Sequence, residues 1–333
     1  MQRVIWAVLL SCGAVLALGP LAIKALQKLK LGQNIYEYAP DTHKQKQGTP
    51  TMGGLLFALA SCSVAAILKV GFLFEAGDLL LALTAFSVFN LLIGFLDDMV
   101  KIRGKRNQGL SEKHKILAQL LVAAAFTAYC YTRVGSTVYI PFFGFYFDLG
   151  IFYIPLMIFI IVCTTNGANL LDGLDGLLAG VSAVVTAFFA ILILLFTGAL
   201  SGISEDNMIN VAVLCAAVCG SLLGYLRFNL HPAQIMMGDT GSMFLGGIAV
   251  GAAMLMRVPL IIPIAAGAYA ISLLSVFLQR IYYRATHGKR IFKMSPLHHH
   301  FELCGVPETR IVSMYAIVTV LLCLFALLGV MNL

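Results

Sequence analysis

The chain has 333 residues, of which 60% are hydrophobic and 11% charged, with a formal net charge of +7. A soluble globular domain is about 45–50% apolar and about 25% charged, so the balance excludes one and implies an integral membrane protein. Its charges collect between apolar stretches of about 20 residues, the length a helix needs to cross about 30 Å of hydrocarbon.

The expected architecture is an all-α polytopic membrane protein of about ten transmembrane helices, forming one domain over residues 1–333. The first span, 3–26, follows Arg3 and has no small-residue cleavage site, so it reads as a span and not a signal peptide. HKQKQGTPTMGG leads into the second, 51–70, and carries Lys46, Thr49, Thr51 and a glycine pair. It resembles a phosphate-binding turn, but no Lys-Ser/Thr follows the glycines as a Walker A motif requires.

The third span, 78–96, runs into GFLDDMVKIRGK, where Asp97 and Lys101 stand at i, i+4 with Lys105 one turn further. The basic residues alone read as a helix end at the lipid headgroups. The adjacent acids demand more, because Asp97 and Asp98 repel and raise one another's pKa unless cations stand close. Paired aspartates beside basic residues suit a site that organises Mg²⁺ and phosphate oxygens together.

After a fourth span, 115–132, the aromatic stretch STVYIPFFGFYFDLG predicts a short periplasmic hairpin at the membrane surface. A fifth span, 151–168, and a sixth, 174–198, are joined by TTNGANLLDGLDG. One of its acids would cap the next helix, but Asn166, Asn169, Asp172 and Asp175 exceed what a cap needs. A seventh span, 208–228, precedes NLHPAQIMMGDTGS, which places Asp239 where the N-cap of the eighth, 240–257, belongs. The residue reads either as a structural cap or as a carboxylate holding Mg²⁺ while free backbone N–H groups face phosphate.

The ninth span, 259–285, is followed by MSPLHHHFELCGVPE and then a tenth span, 310–331. Consecutive histidines do not easily converge on one zinc ion, so His298, His299 and His300 read as partners for phosphate or a sugar diphosphate. The eight cysteines form no CxxC pair and read as small buried hydrophobes.

Eighteen of the 22 Lys and Arg residues fall in loops that follow odd-numbered spans, as do all seven histidines and ten of the fifteen acids. This predicts a cytoplasmic catalytic cleft and external termini. Nearly all the polar chemistry on one face argues against a proton-coupled transporter, whose ionisable groups would line a route through the bundle. A scaffold without catalysis would leave the five polar motifs unexplained, and no nucleic-acid partner is expected.

KQGTPTMGG, GFLDDMVKI, NGANLLDGLDG, MGDTGS and above all SPLHHHFEL resemble, in order and over the whole chain, the bacterial phospho-N-acetylmuramoyl-pentapeptide transferases. These form a branch of the polyprenyl-phosphate N-acetylhexosamine-1-phosphate transferase superfamily. The resemblance implies a homodimeric, ten-span enzyme of the bacterial inner membrane that acts in peptidoglycan synthesis. It would move phospho-MurNAc-pentapeptide from UDP onto undecaprenyl phosphate with Mg²⁺, giving lipid I and UMP. By the same resemblance Asp239 holds the metal, Asp97 and Asp98 are catalytic beside the lipid phosphate, and His299 is catalytic too. Lys46, Thr51, Lys101, Lys105, Lys113, Asn166, Asn169, Asp172, Asp175, Asn229, His298 and His300 would bind the nucleotide sugar. The chain departs from many of these proteins at Met236, where they carry Phe. The alternative within the superfamily is a sister transferase of GlcNAc-1-phosphate, against which SPLHHHFEL argues.

Overall fold

A computed structural model describes residues 1–28, 48–69, 78–104, 109–199 and 204–331. Its helices are α1 Gln2–Lys28, α2 Gly54–Ile67, α3 Leu79–Gly104, α4 Glu112–Arg133, α5 Tyr153–Leu171, α6 Leu177–Phe196 and α7 Glu205–Asn229. They continue with α8 Gly238–Leu255, the short α9 Ile262–Ala265, α10 Gly267–Ala285, α11 Leu297–Leu303 and α12 Glu308–Gly329. The only sheet among the described residues is an antiparallel pair, β1 Thr137–Ile140 and β2 Phe145–Asp148, with Thr137 opposite Asp148 and Ile140 opposite Phe145. The expected hairpin therefore forms. It is held in place by the Tyr139 N–H on the Arg257 carbonyl (2.7 Å) and the Phe142 N–H on Gly329 (2.7 Å).

Among the described residues, seven helices are long and apolar enough to cross a membrane, and an eighth crossing results if α9 and α10, bent by 81°, count as one. Ten were expected, and the differences have local causes. The second expected span shortens to 14 residues, about 21 Å of rise, because its first residues are spent elsewhere. The Pro50 carbonyl accepts from the Met236 N–H, while Gly53 and Gly54 donate to Met236 and Met237. The expected span 259–285 breaks at Ala266, whose φ of −103° and ψ of 39° leave the helical region. The glycine-rich α8 carries Asp239 in its first turn and stands outside the group of seven.

Burial grades the helices from centre to rim. In α7, 83% of the apolar window is buried, against 28% in each of α1, α4 and α12. The outer helices show Leu9, Leu16, Leu117, Leu121, Leu321 and Leu324 on their outward faces, as lipid-facing surfaces do. Lipid supplies no hydrophobic drive between helices, so close backbone approach through small residues carries much of the packing. Gly246 of α8 lies on the backbone of Thr165 in α5, Gly220 of α7 on the backbone of Val8 in α1, and Gly94 of α3 on the Asp239 carbonyl.

The Gly94 contact brings GFLDD and MGDTGS together. A Cβ there would collide with the Asp239 carbonyl and the Thr240 nitrogen, both backbone atoms. Gly94→Ala should therefore separate α3 from α8 and cost about 1–3 kcal/mol. The expected result is a lower melting temperature in detergent together with loss of any activity that needs both segments. An unchanged melting curve would show that the contact is slack.

Candidate active site

The site begins at the first turn of α8. Gly238 takes a φ of +71°, open to glycine, and a side chain there would meet Asp98 Oδ2 and Thr51 Oγ1. The N-cap position is Met237, and its side chain makes no cap hydrogen bond. Asp239 is therefore not the cap that the sequence suggested. The cap comes from another helix: Asp98 accepts from the N–H groups of Asp239 (3.2 Å) and Thr240 (3.0 Å) and from Thr240 Oγ1 (2.7 Å). A carboxylate at a helix N-terminus satisfies unpaired donors and complements the dipole.

With its backbone held by Asp98, Asp239 turns its carboxylate to two lysines. Lys115 Nζ lies 2.6 Å and Lys101 Nζ 3.1 Å from Asp239 Oδ2. Lys101 also reaches Asp97 Oδ2 at 2.7 Å, the expected i, i+4 pair, and Asp98 Oδ1 at 3.8 Å. Lys115 stands 3.7 Å from Asp97 Oδ2, and Asp97 Oδ1 accepts the Leu110 N–H at 3.0 Å. The repulsion expected between the paired acids is thus offset: Asp97 and Asp98 are buried and share cations and N–H donors.

Sequence reasoning missed Lys115. It stands in α4, which Ser111 starts by accepting the His114 N–H. A signal was available, since Lys115 and Gln119 are polar at i, i+4 on a helix that otherwise faces apolar neighbours. Gln119 exchanges hydrogen bonds with Asn166 (3.0 and 3.3 Å).

The loop after α5 lies against this cluster. Asn169 Nδ2 donates to Ser242 Oγ of α8 at 2.9 Å. Burial and the nearby negative charges of Asp239 and Asp98 push the half-buried Asp172 carboxyl up to about 8. Asp175 accepts the Ala233 N–H (3.0 Å) and faces His231 Nδ1 (3.1 Å), while its own N–H donates to Glu308 (2.5 Å). Asn229 accepts the Gly176 N–H at 3.2 Å and donates to the Ile235 carbonyl at 2.8 Å, fixing the same loop. His231 and Glu308 were not singled out from sequence.

The histidines divide. His298 is fully buried, and a Cβ on Gly173 would meet the Nε2 atoms of both His298 and His299. His299 Nδ1 faces Glu302 at 3.1 Å. His300 belongs to a different environment, accepting the Lys293 N–H at 3.1 Å with its ring 5.6 Å from that of Phe292. Lys113 is exposed and makes none of the cluster's ion pairs. Lys46 and Lys105 lie outside the described residues. Met236 serves through its backbone, as described above.

One oxygen from each of Asp97, Asp98 and Asp239 lies within 4.8 Å of the others, close enough to converge on one cation. Hard carboxylate oxygens suit a hard divalent cation.

Residues 80–257 match the family model described as glycosyl transferase family 4, and residues 46–57 match phospho-N-acetylmuramoyl-pentapeptide-transferase signature 1. The chain is 43% identical over 334 residues to the phospho-N-acetylmuramoyl-pentapeptide-transferase of Clostridium novyi (strain NT), covering 100% of this chain and 98% of that protein. The protein of the same name from Clostridium kluyveri is 42% identical over 99% of this chain and 100% of its own length. The chain belongs to the phospho-N-acetylmuramoyl-pentapeptide transferase family. A further member, from Clostridium perfringens (strain 13 / Type A), is 41% identical over 97% of this chain and 98% of its own length. The transferase signature covers KQGTPTMGGLLF, the segment whose described part, with Thr51, zips onto the start of α8.

Asp172 gives a pH test of this geometry. Its folded pKa is raised above its unfolded value, so the proton it binds stabilises the fold at low pH, and that stabilisation is lost as pH rises through about 8. Asp172→Asn mimics the protonated form. In metal-free protein it should match wild type near pH 4 and gain thermal stability over it as pH climbs to about 8. A constant difference across that range would remove the assignment.

Proposed function

We propose that the chain transfers phospho-MurNAc-pentapeptide from UDP-MurNAc-pentapeptide to undecaprenyl phosphate, giving lipid I and UMP. Residues 1–333 would act as one domain with ten passes, in a homodimer of the bacterial inner membrane. The catalytic cleft would be cytoplasmic, with the hairpin and both termini external. The observation that carries this reading is convergence. Segments around residues 51–54, 97–101, 166–175, 239–242 and 298–299 are remote in sequence yet linked at one end of the helix bundle through Gly53, Asp98, Asn169 and Gly173.

Both substrates are anionic, so the main obstacle is electrostatic, and positioning with charge neutralisation carries such a transfer. Lys101 and Lys115 place two ammonium groups in the cleft, steadied by Asp97 and Asp239, where they would attract the diphosphate and the lipid phosphate. Mg²⁺ held by Asp239, with Asp97 and Asp98 beside it, would neutralise the phosphate oxygens. An ionised lipid phosphate needs no strong base. Any residual proton would go to Asp98, while Asp97 orients Lys101.

Thr51, Asn166, Asn169, Asp172, Asp175, Asn229 and His298, together with Lys46, Lys105, Lys113 and His300, would line the nucleotide-sugar cleft. His299 would act on the diphosphate. The match to the transferase signature over residues 46–57 favours the muramoyl-pentapeptide substrate over GlcNAc-1-phosphate.

Turnover of UDP-MurNAc-pentapeptide and undecaprenyl phosphate to UMP in detergent should require Mg²⁺ and stop with a chelator. Asp239→Asn should lower it by about two orders of magnitude or more while remaining folded. Retained turnover in that variant would take the metal assignment with it. Incubation with nucleotide sugar alone should release no UMP. Release accompanied by a labelled protein would replace direct displacement with an aspartyl intermediate.

A further inference from the structure

Away from the acid cluster, α10 and the loop after it carry Arg280, Arg284, Lys289, Arg290 and Lys293. The one acid between residues 286 and 303, Glu302, faces His299. Among the described residues no salt bridge reaches any of the five cations. Gln279, Arg280 and Tyr283 of α10, with Arg290, Met294 and Ser295 of the loop, line a cleft of about 330 Å³, near the lower end of small-molecule sites.

Hydrogen bonds hold this loop in place. Gln279 accepts the N–H groups of Ile291 (3.1 Å) and Phe292 (3.0 Å) and donates to the Phe292 carbonyl (3.0 Å). Ser275 accepts the Leu297 N–H at 3.1 Å, and Lys293 Nζ donates to the Leu303 carbonyl at 2.8 Å. From Ser295 the chain needs only three residues, at most about 11 Å, to reach His298 against Gly173. The cleft therefore opens beside the proposed active site.

Its chemistry selects an occupant. Two guanidinium forks without acid partners suit carboxylates, which they bind bidentately, and Tyr283 and Met294 add apolar surface. At 100° per residue, Gln279, Arg280 and Tyr283 lie on the opposite side of α10 from Leu274, Phe277, Leu278 and Ile281, which are exposed. The basic cleft thus faces away from the helix's apolar stripe, which disfavours a lipid headgroup as its occupant.

We propose that the cleft binds the free carboxylate end of the peptide stem on the nucleotide-sugar substrate. This rests on the transferase reading above. A pentapeptide joined to its sugar through the amino end leaves its C-terminus ionised. Extended, five residues span about 17 Å, longer than the at most about 11 Å that separates Ser295 of the cleft from His298. The cleft would discriminate by peptide and leave the transfer chemistry to the acid cluster.

The test uses full-length Arg280→Gln, Arg290→Gln and the double variant in detergent, with UDP-MurNAc-pentapeptide and with UDP-MurNAc lacking the peptide. The double variant should raise KM for the pentapeptide substrate about tenfold or more, leaving kcat and KM for undecaprenyl phosphate unchanged. On the peptide-free nucleotide it should match wild type. An equal loss on both nucleotides overturns the proposal, as does a loss that appears only in anionic-lipid micelles, which would assign the arginines to headgroups. Wild-type protein that turns over UDP-GlcNAc and neither muramoyl substrate would instead sink the transferase reading beneath it.

Discussion

The site depends on one contact between helices. Asp98 of α3 accepts the Asp239 and Thr240 N–H groups in the first turn of α8 and the Thr240 hydroxyl, and Gly94, one turn earlier, lets the two backbones touch. The carboxylate does for α8 what its own N-cap residue does not. Each helix thereby fixes the other's acids: α8 cannot begin where it does without Asp98, and Asp239 cannot face Lys101 and Lys115 unless α8 begins there. A buried helix end with unpaired donors would be costly, so the folded chain holds catalytic candidates in place as a consequence of satisfying its backbone.

The remaining motifs attach to this contact through backbone and amide groups. Residues 50–54 pair with 236–237 by backbone hydrogen bonds, Asn169 ties the loop after α5 to Ser242, and Glu308 at the start of α12 receives the Asp175 N–H. Hydrogen bonding of irregular segments to one another is what allows nonhelical backbone at the edge of an apolar bundle. The same requirement places glycines at the crossings, since Gly94, Gly238 and Gly173 each stand where a side chain would meet a neighbouring polar group.

Much of this was legible in the sequence because its periodicity is local. The Asp97–Lys101 pair follows from i, i+4 spacing, the hairpin from its aromatic strands, and the apolar runs from composition. What escaped depended on partners far along the chain. The cap on α8 comes from a residue 141 positions away, so Asp239, read locally, looked like the cap. Lys115 sits at the start of an apolar run and resembled an ordinary juxtamembrane charge. Among the described residues, the helices long and apolar enough to cross number seven or eight for a related reason. Hydropathy cannot tell residues that continue a helix from those, such as Pro50 to Gly53, whose backbone groups are engaged by another segment.

Charge explains why such a cluster belongs to a ligand as much as to the fold. Three carboxylates and two ammonium groups leave it one positive charge short of balance, in a place where burial makes every unpaired charge expensive. Hydrophobic residues of similar volume would pack α3, α4 and α8 at least as well, so stability alone does not account for five ionisable groups at their junction. A centre that must draw in phosphates does account for them. The lysines attract the anions, the aspartates offset the repulsion between the two lysines, and the residual negative charge leaves room for a divalent cation.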